Sequence, residues 1–506
     1  MLAGMLDNVY WPGVLSIFVL YGAVFVVGVV ATRRAPPPSS GDDALEELML
    51  AGRSLPLWVA LLTMTATWVG GGYINGTAET TFATGPTWGG QAGLGYAVSL
   101  LLGGLFFARR MRAAGYATLV DPLEARYGAP VAAVLMVPAV LAELFWSAAI
   151  LVALGSTFGT VIGLELNSSI ALSAAVAIAY TVFGGLRAVA WTDVVQLVLI
   201  VVGLGLAVPF VMGAAGGWGP VLAAAPPLGF ATPEEAVSWS DWTILLMLGG
   251  IPWNVYFQRV LSSRSPRAAA TTSMLAAVLC ALMALPPMAL GLAATQLDWS
   301  QIDTGTVDAA AELAESPTLV LPYVLRYAVP QWVGVLGLGA VSAAVMSSVD
   351  SSILSASSLV AWNGYRRLVN PDASAEQVSR LVRGLVVGLG VIATIIALTY
   401  GSVSALWYLC GDIVYCVLFP QLTLALFDPR ANRTGAVAGL VTSVGLRLVG
   451  GESILGLPNL LYPDWTEAGG EFPFRTLAML CGLVVALVAS RLSQGIDPAR
   501  PVPGAE

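Results

Sequence analysis

Runs of about 20 apolar residues recur along the chain with short polar breaks between them, each long enough to cross a hydrocarbon layer roughly 30 Å thick as a helix. Thirteen such spans are expected, at 9–32, 54–83, 88–108, 129–162, 168–184, 191–214, 242–262, 268–295, 318–362, 379–399, 402–427, 433–449 and 473–491. The ninth exceeds one crossing, so the pattern predicts a short outer helix broken near Pro330 and a full span from Trp332. The expected fold class is an all-α polytopic membrane protein, with the whole chain as one transmembrane domain.

Arginine placement orients these spans. With the N-terminus outside and the C-terminus inside, every arginine except Arg326, Arg447 and Arg475 falls on the inner side, among them Arg33, Arg34, Arg53, Arg109, Arg110, Arg259, Arg264 and Arg366. The long loops 215–240 and 296–317 carry none. This is the positive-inside bias, and an odd number of spans agrees with it. The segment RRAPPPSSGDD (33–43) reads as a polar linker that sets the first span, 9–32, apart at the periphery.

Composition narrows the function. The 506 residues are 57% hydrophobic and 10% charged, with a mean hydropathy of +0.81, which places the chain in a lipid bilayer. The formal charge of -8 comes mostly from acids in two loops and the tails. There is no histidine, and all 22 basic residues are arginine. That excludes imidazole chemistry, a lysine Schiff base and a nucleic-acid-binding basic patch. Cys280, Cys410, Cys416 and Cys481 lie in apolar spans without metal-like spacing and read as packing residues. The first apolar run lacks a basic stretch before it and a cleavage site, so it is expected to be retained. Neither a nucleophile–base pair nor a phosphate loop is visible, and the chain is expected not to be an enzyme.

Two spans break at glycine. The second, LTMTATWVGGGYINGTAE, carries Gly70, Gly71 and Gly72 in mid-membrane. Each glycine costs about 1 kcal/mol of helix stability relative to alanine. Close packing between helices also selects small residues. The seventh span, LLMLGGIPWNVYFQR, has Gly249, Gly250 and Pro252 at the matching depth five spans later. Paired interrupted helices point to an inverted-repeat transporter, spans two to six (54–214) against seven to eleven (242–427), with 433–491 as two additional spans. Unwound carbonyls there could coordinate a cation.

Carboxylates inside the spans are costly and mark candidate sites. Asp193 opens the sixth span and Asp350 lies in VMSSVDSSILSASS, beside Ser347 and Ser348. For Glu143 and Asp412, helix-end polar groups bonded to neighbours are an equally good reading. Hard oxygen donors of this kind suit a small cation, and facing the break in the second span they make a sodium site plausible.

Most tryptophans fall near span ends, where membrane proteins concentrate them, but Trp68, Trp146 and Trp253 do not. Trp68 and Trp253 adjoin the breaks, and Tyr96 and Trp407 could converge from the outer half. Several electron-rich faces with no arginine nearby suit a cation lacking hydrogen-bond donors. Each such contact gives about 0.5 to 2 kcal/mol. Core or lipid-facing aromatics are the competing explanation.

The segments LTMTATWVGGGYINGTAE (62–79), GGLFFARRMRAAGYATLVDP (103–122), LGGIPWNVYFQRVLSS (248–263), LGAVSAAVMSSVDSSILSASS (338–358) and FPFRTLAML (472–480) closely resemble the sodium/solute symporter family, in particular its high-affinity choline transporter branch. The resemblance covers nearly the whole chain. It implies a leucine-transporter-like fold of thirteen spans and inward, sodium-driven transport of choline by alternating access across the plasma membrane. It further implies a sodium site from backbone oxygens of Ala66, Val69 and Ala344 with the hydroxyls of Ser347 and Ser348, and an additional sodium-associated carboxylate at Asp193. Trp68, Tyr96, Trp146, Trp253 and Trp407 match the branch's aromatic pocket, and chloride dependence is implied by analogy alone. Cys410-Gly411 before Asp412 and the lack of a long tail after Arg491 depart from the animal members. About 15 residues there leave no room for a signalling domain, which counts against a flux-less sensor. Betaine or proline is the alternative solute, and betaine would need donors such as Asn75, Gln91, Asn254 or Gln258.

Overall fold

The computed structural model describes residues 10–34, 41–182, 185–305, 307–452 and 456–502, so most of the linker expected at 33–43 lies outside the described residues. The described chain is helical and has only two isolated β-bridges. Its main helices are α1 (Trp11–Arg33), α2 (Leu57–Trp68), α3 (Gly71–Thr84), α4 (Gln91–Leu102), α5 (Ala129–Ile162), α6 (Leu166–Thr181), α7 (Leu186–Ala214), α8 (Pro233–Gly249), α9 (Asn254–Ser262), α10 (Pro266–Met283), α11 (Gln331–Leu359), α12 (Ala375–Tyr400), α13 (Val403–Ile413), α14 (Arg433–Val449) and α15 (Phe474–Leu492). Among the described residues nine helices are long and apolar enough to cross a membrane, and the bent pair α2–α3 brings the number to ten. The other three expected spans are helical as well, but shorter or broken: α6, α8–α9 and α14. The ninth span divides as its proline predicts. A helix over Val320–Tyr327 ends before Pro330, and α11 begins at Gln331.

Both expected breaks are present. Helix α2 ends at Trp68 and α3 starts at Gly71, with a 45° bend between them. The break therefore lies at Val69 and Gly70, one residue earlier than the glycine run implies, and Gly71 and Gly72 are already helical. A run of glycine can be helical where tertiary packing supports it. In the second break Pro252 has no N–H to continue the ladder and disfavours a helical conformation at Ile251 before it, and Trp253 beyond it is extended (φ -105°, ψ 132°).

These broken helices sit at the centre of the bundle. Gly70 and Gly71 allow α11 to approach the first break: a Cβ on Gly70 would lie 1.6 Å from Ser348 Oγ, and one on Gly71 2.1 Å from Val345 Cγ2. The packing and unwinding explanations of the glycines thus hold together. Gly249 likewise lets α8 meet the Gly411 carbonyl of α13, 3.0 Å from where its Cβ would be. Helix α1 contacts the bundle along one side, where Ser16 Oγ donates to the Val335 carbonyl at 2.7 Å. Its Leu15, Phe18, Val19, Phe25 and Val26 are exposed, as a lipid-facing surface would be.

Candidate functional site

Each of the five aromatics singled out from the sequence is buried. Trp68 is the last residue of α2, Tyr96 lies on α4 and Trp407 on α13. The Trp68 and Tyr96 ring centroids are 4.7 Å apart, and Tyr96 and Trp407 are 5.3 Å apart. Trp146 of α5 and Trp253 of the second break make an edge-to-face pair at 5.4 Å. Between the two groups lies Gly72, whose Cβ would be 3.9 Å from Ile150, one turn beyond Trp146, and 4.0 Å from Trp407. No arginine covers any of these five rings among the described residues. The Trp253 indole N–H donates to the Gly249 carbonyl at 2.7 Å, spanning the break it adjoins.

The oxygen-rich residues assemble against the first break. Ala66 and Val69 occupy the final turn and cap of α2, where backbone carbonyls lose their i+4 donors. Ser348 reaches the break at Gly70. Ser347 Oγ donates to the Ala344 carbonyl at 2.9 Å, and Ser348 Oγ approaches the same carbonyl at 3.5 Å. All five residues are buried. Asp193 of α7 lies farther along α2 and accepts a hydrogen bond from Thr63 Oγ1 at 2.5 Å. Asp350 is on a different face of α11 from Ser348 and accepts from Thr181 Oγ1 at 2.6 Å.

Three observations alter the sequence-based picture. Arg259, counted among the inner arginines, is no loop charge: it is 0% exposed on α9, 3.5 Å from Asp193 and donating to Ser351 Oγ at 2.5 Å. Its position between Phe257 and Val260–Leu261 was the sign that it belongs to a span. Glu143 accepts from the Val255 amide at 3.3 Å and from Ser355 Oγ at 2.7 Å. This places a carboxylate on the first turn of α9, where the helix dipole stabilises it. Asp412 belongs to a buried ionic cluster in which Arg447 lies 2.5 Å from both Asp412 and Glu452, and Arg475 pairs with Glu471 at 2.7 Å. Both carboxylates are thus bonded to neighbouring groups, although Glu143 lies mid-helix rather than at a helix end.

A cavity of about 540 Å³ lies elsewhere, lined by Asp42, Glu46, Arg53, Arg366 and Arg500, and includes none of the five rings.

The sequence profile of the sodium:solute symporter family matches residues 48–443. The chain belongs to this family. It is 45% identical over 500 residues to the high-affinity choline transporter 1 of Caenorhabditis elegans, an alignment covering 95% of this chain and 85% of that protein. With the human high affinity choline transporter 1 the identity is 44%, covering 97% and 87%. The sodium/glucose cotransporter of Vibrio parahaemolyticus is 25% identical, covering 86% of this chain and 84% of that protein.

Solved symporter structures share the fold. One of a Na+-coupled sialic acid symporter in a substrate-bound outward-open state superposes with a TM-score of 0.77 at 20% identity, covering 96% of this chain and 98% of the other. A nucleobase-cation-symport-1 family transporter in a closed conformation gives 0.57 at 13% identity, covering 92% and 96%. The chain is therefore an integral, multi-pass membrane transporter with a leucine-transporter-like fold, and it is not an enzyme.

Proposed function

We propose that this symporter imports choline into the cell across the plasma membrane, with the trimethylammonium head held among Trp68, Tyr96, Trp146, Trp253 and Trp407. The observation that carries this reading is five buried rings in two contacting sets, Trp68–Tyr96–Trp407 and Trp146–Trp253, each set including a residue beside a helix break, with no arginine over any ring among the described residues. A quaternary ammonium offers no hydrogen-bond donor, and desolvated aromatic faces are what it prefers. The identity to relatives named high-affinity choline transporters supports the same solute.

Sodium binds, in this reading, to the carbonyls of Ala66, Val69 and Ala344 and the hydroxyls of Ser347 and Ser348, with Asp193 serving an additional sodium. Asp350 is outside both sets. The chain crosses the membrane thirteen times with its N-terminus outside. Helices α2–α7 and the region α8–α13 form the two inverted repeats, with α1 at the periphery and α14–α15 appended. Chloride enters as a further coupling ion by family resemblance alone.

Betaine would require donors for its carboxylate. Gln91 and Asn254 are committed, Gln91 to the Trp239 carbonyl and Thr243 and Asn254 to Ser355. The amides of Asn75 and Gln258 are buried without partners and are the donors a betaine carrier would use.

The deciding experiment is uptake of labelled choline into proteoliposomes containing the purified chain. An inward sodium gradient should drive accumulation, unlabelled choline should compete better than betaine, and gluconate in place of chloride should slow uptake. Uptake indifferent to the sodium gradient would overturn the coupling.

A further inference from the structure

Above the aromatic cluster, one acidic side chain has been left without a counter-ion. Gly72, Gly76 and Glu79 recur at spacings of four and three on α3 and so share one face. That face runs along the first turns of α13. A Cβ on Gly72 would lie 4.0 Å from Trp407, one on Gly76 3.9 Å from Val403, and Glu79 Oε1 accepts from Ser404 Oγ at 2.9 Å. Seven helical residues separate Glu79 from Gly72, a rise of about 10 Å. Held at Ser404, the carboxylate therefore stands about one turn of α13 before Trp407, on the outer side in the proposed topology.

Its environment is not that of a structural ion pair. Glu79 is 8% exposed, its hydrogen-bonding neighbours are the hydroxyls of Ser404 and Thr318, and no ion pair among the described residues includes it. Burying a carboxylate without a counter-ion costs several kcal/mol, and a glutamine could accept the same hydroxyl hydrogen bonds without that cost. What glutamine could not supply is a negative charge close to the outer edge of the ring cluster.

We propose that Glu79 is an outer cation station: its unpaired carboxylate holds the ammonium head of the incoming substrate beside Ser404 before the head passes to the Trp407 and Tyr96 faces. This rests on the choline reading given above. The residue sets selectivity by charge, whereas the rings below recognise shape and polarisability. In a narrow low-dielectric path a single such charge raises the local concentration of a cation by about tenfold or more.

The test uses the full chain in proteoliposomes under a fixed sodium gradient, with labelled choline as substrate and its uncharged tert-butyl analogue, 3,3-dimethylbutan-1-ol, as competitor. Glu79→Gln should raise the KM for choline by about tenfold, leaving kcat, sodium activation and inhibition by the uncharged analogue unchanged. Glu79→Asp, which keeps the charge but sets it back by one methylene, should raise KM less. Ser404→Ala, which removes the hydrogen bond and keeps the charge, should leave KM close to its original value. Equal weakening of choline and the uncharged analogue would mean that Glu79 only packs, and would overturn the station. So would an unaltered choline KM in Glu79→Gln. Should Glu79→Gln fail to fold, a choline-selective shift in Glu79→Asp decides, and its absence overturns the proposal. If the unsubstituted chain shows no sodium-driven choline uptake, the choline reading fails and the station fails with it; every other negative result strikes Glu79 alone.

Discussion

At the scale of single residues, Trp253 carries two separable duties. Its ring packs edge-to-face with Trp146, and its indole N–H crosses the second break to the Gly249 carbonyl. Loss of one cation–π face is worth about 0.5 to 2 kcal/mol, or roughly 2- to 30-fold in affinity. Trp253→Ala is therefore expected to weaken equilibrium binding of labelled choline by at least that factor. Trp253→Phe keeps an aromatic face and loses only the hydrogen bond, so it should lie between the two; equal losses in both variants would assign the effect to the bridge. Membrane depth and the adjoining glycines were enough to single out Trp68 and Trp253 in the sequence. The pairing of rings was not readable there: Tyr96 meets both Trp68 and Trp407 through the mutual rotation of three helices, and no local pattern encodes that. The partner of Arg259 was hidden for a related reason: an arginine near the end of the expected span 242–262 shows nothing of Asp193 on α7 until the helices are seen together.

At the scale of helices, the three consecutive glycines of the first break have different functions, and alanine substitution should separate them. Gly70 is extended (φ -89°, ψ -170°), a conformation open to any residue, so it is required for the approach of Ser348 rather than for backbone freedom. A Cβ there would lie 2.7 Å from Ser348 Cβ, and overpacking of this sort typically costs about 1 to 3 kcal/mol. Gly70→Ala should lower the thermal stability of the detergent-solubilised chain and shift sodium activation of uptake to higher concentration. Gly72 is helical, and its Cβ would make only ordinary contacts at 3.9 and 4.0 Å. Gly72→Ala should fold as well as the original chain, since alanine favours helix by about 1 kcal/mol, yet impair choline binding by placing a methyl group between Ile150 and Trp407. Thermal unfolding together with choline binding on both variants distinguishes these outcomes. The sequence located both breaks to within a residue, because glycine runs and a mid-span proline act on the backbone they belong to. It left the Asp412–Arg447–Glu452 cluster unseen, because that contact joins a carboxylate on α13 to an arginine on α14, and hydropathy treats each as an isolated charge.

For the whole molecule, the arginines that depart from the positive-inside pattern are held in place. Arg447 and Arg475 belong to the buried ionic cluster, and Arg326 donates to the Thr160 carbonyl while lying over the Tyr10 and Tyr327 rings. Their placement is thus explained by contacts within the fold, and the proposed orientation rests on the remaining arginines. The first break and the serine-rich face of α11 are packed against each other at the centre of the bundle. A sodium bound at Ala66, Val69, Ala344, Ser347 and Ser348 would hold the break one residue from Trp68, and so hold that ring in position for choline. Coupling through such a shared element is reciprocal: each ligand must change the affinity of the other by the same factor, commonly between about 5- and 150-fold. Equilibrium binding to the purified chain should show saturating sodium raising choline affinity and saturating choline raising sodium affinity equally. Ser348→Ala, which removes one proposed ligand and leaves the rings untouched, should lower sodium affinity and weaken choline binding at limiting sodium, with recovery as sodium saturates. Choline binding that stays weak at saturating sodium would show that Ser348 acts on the rings directly and would remove the break as the link between the two sites.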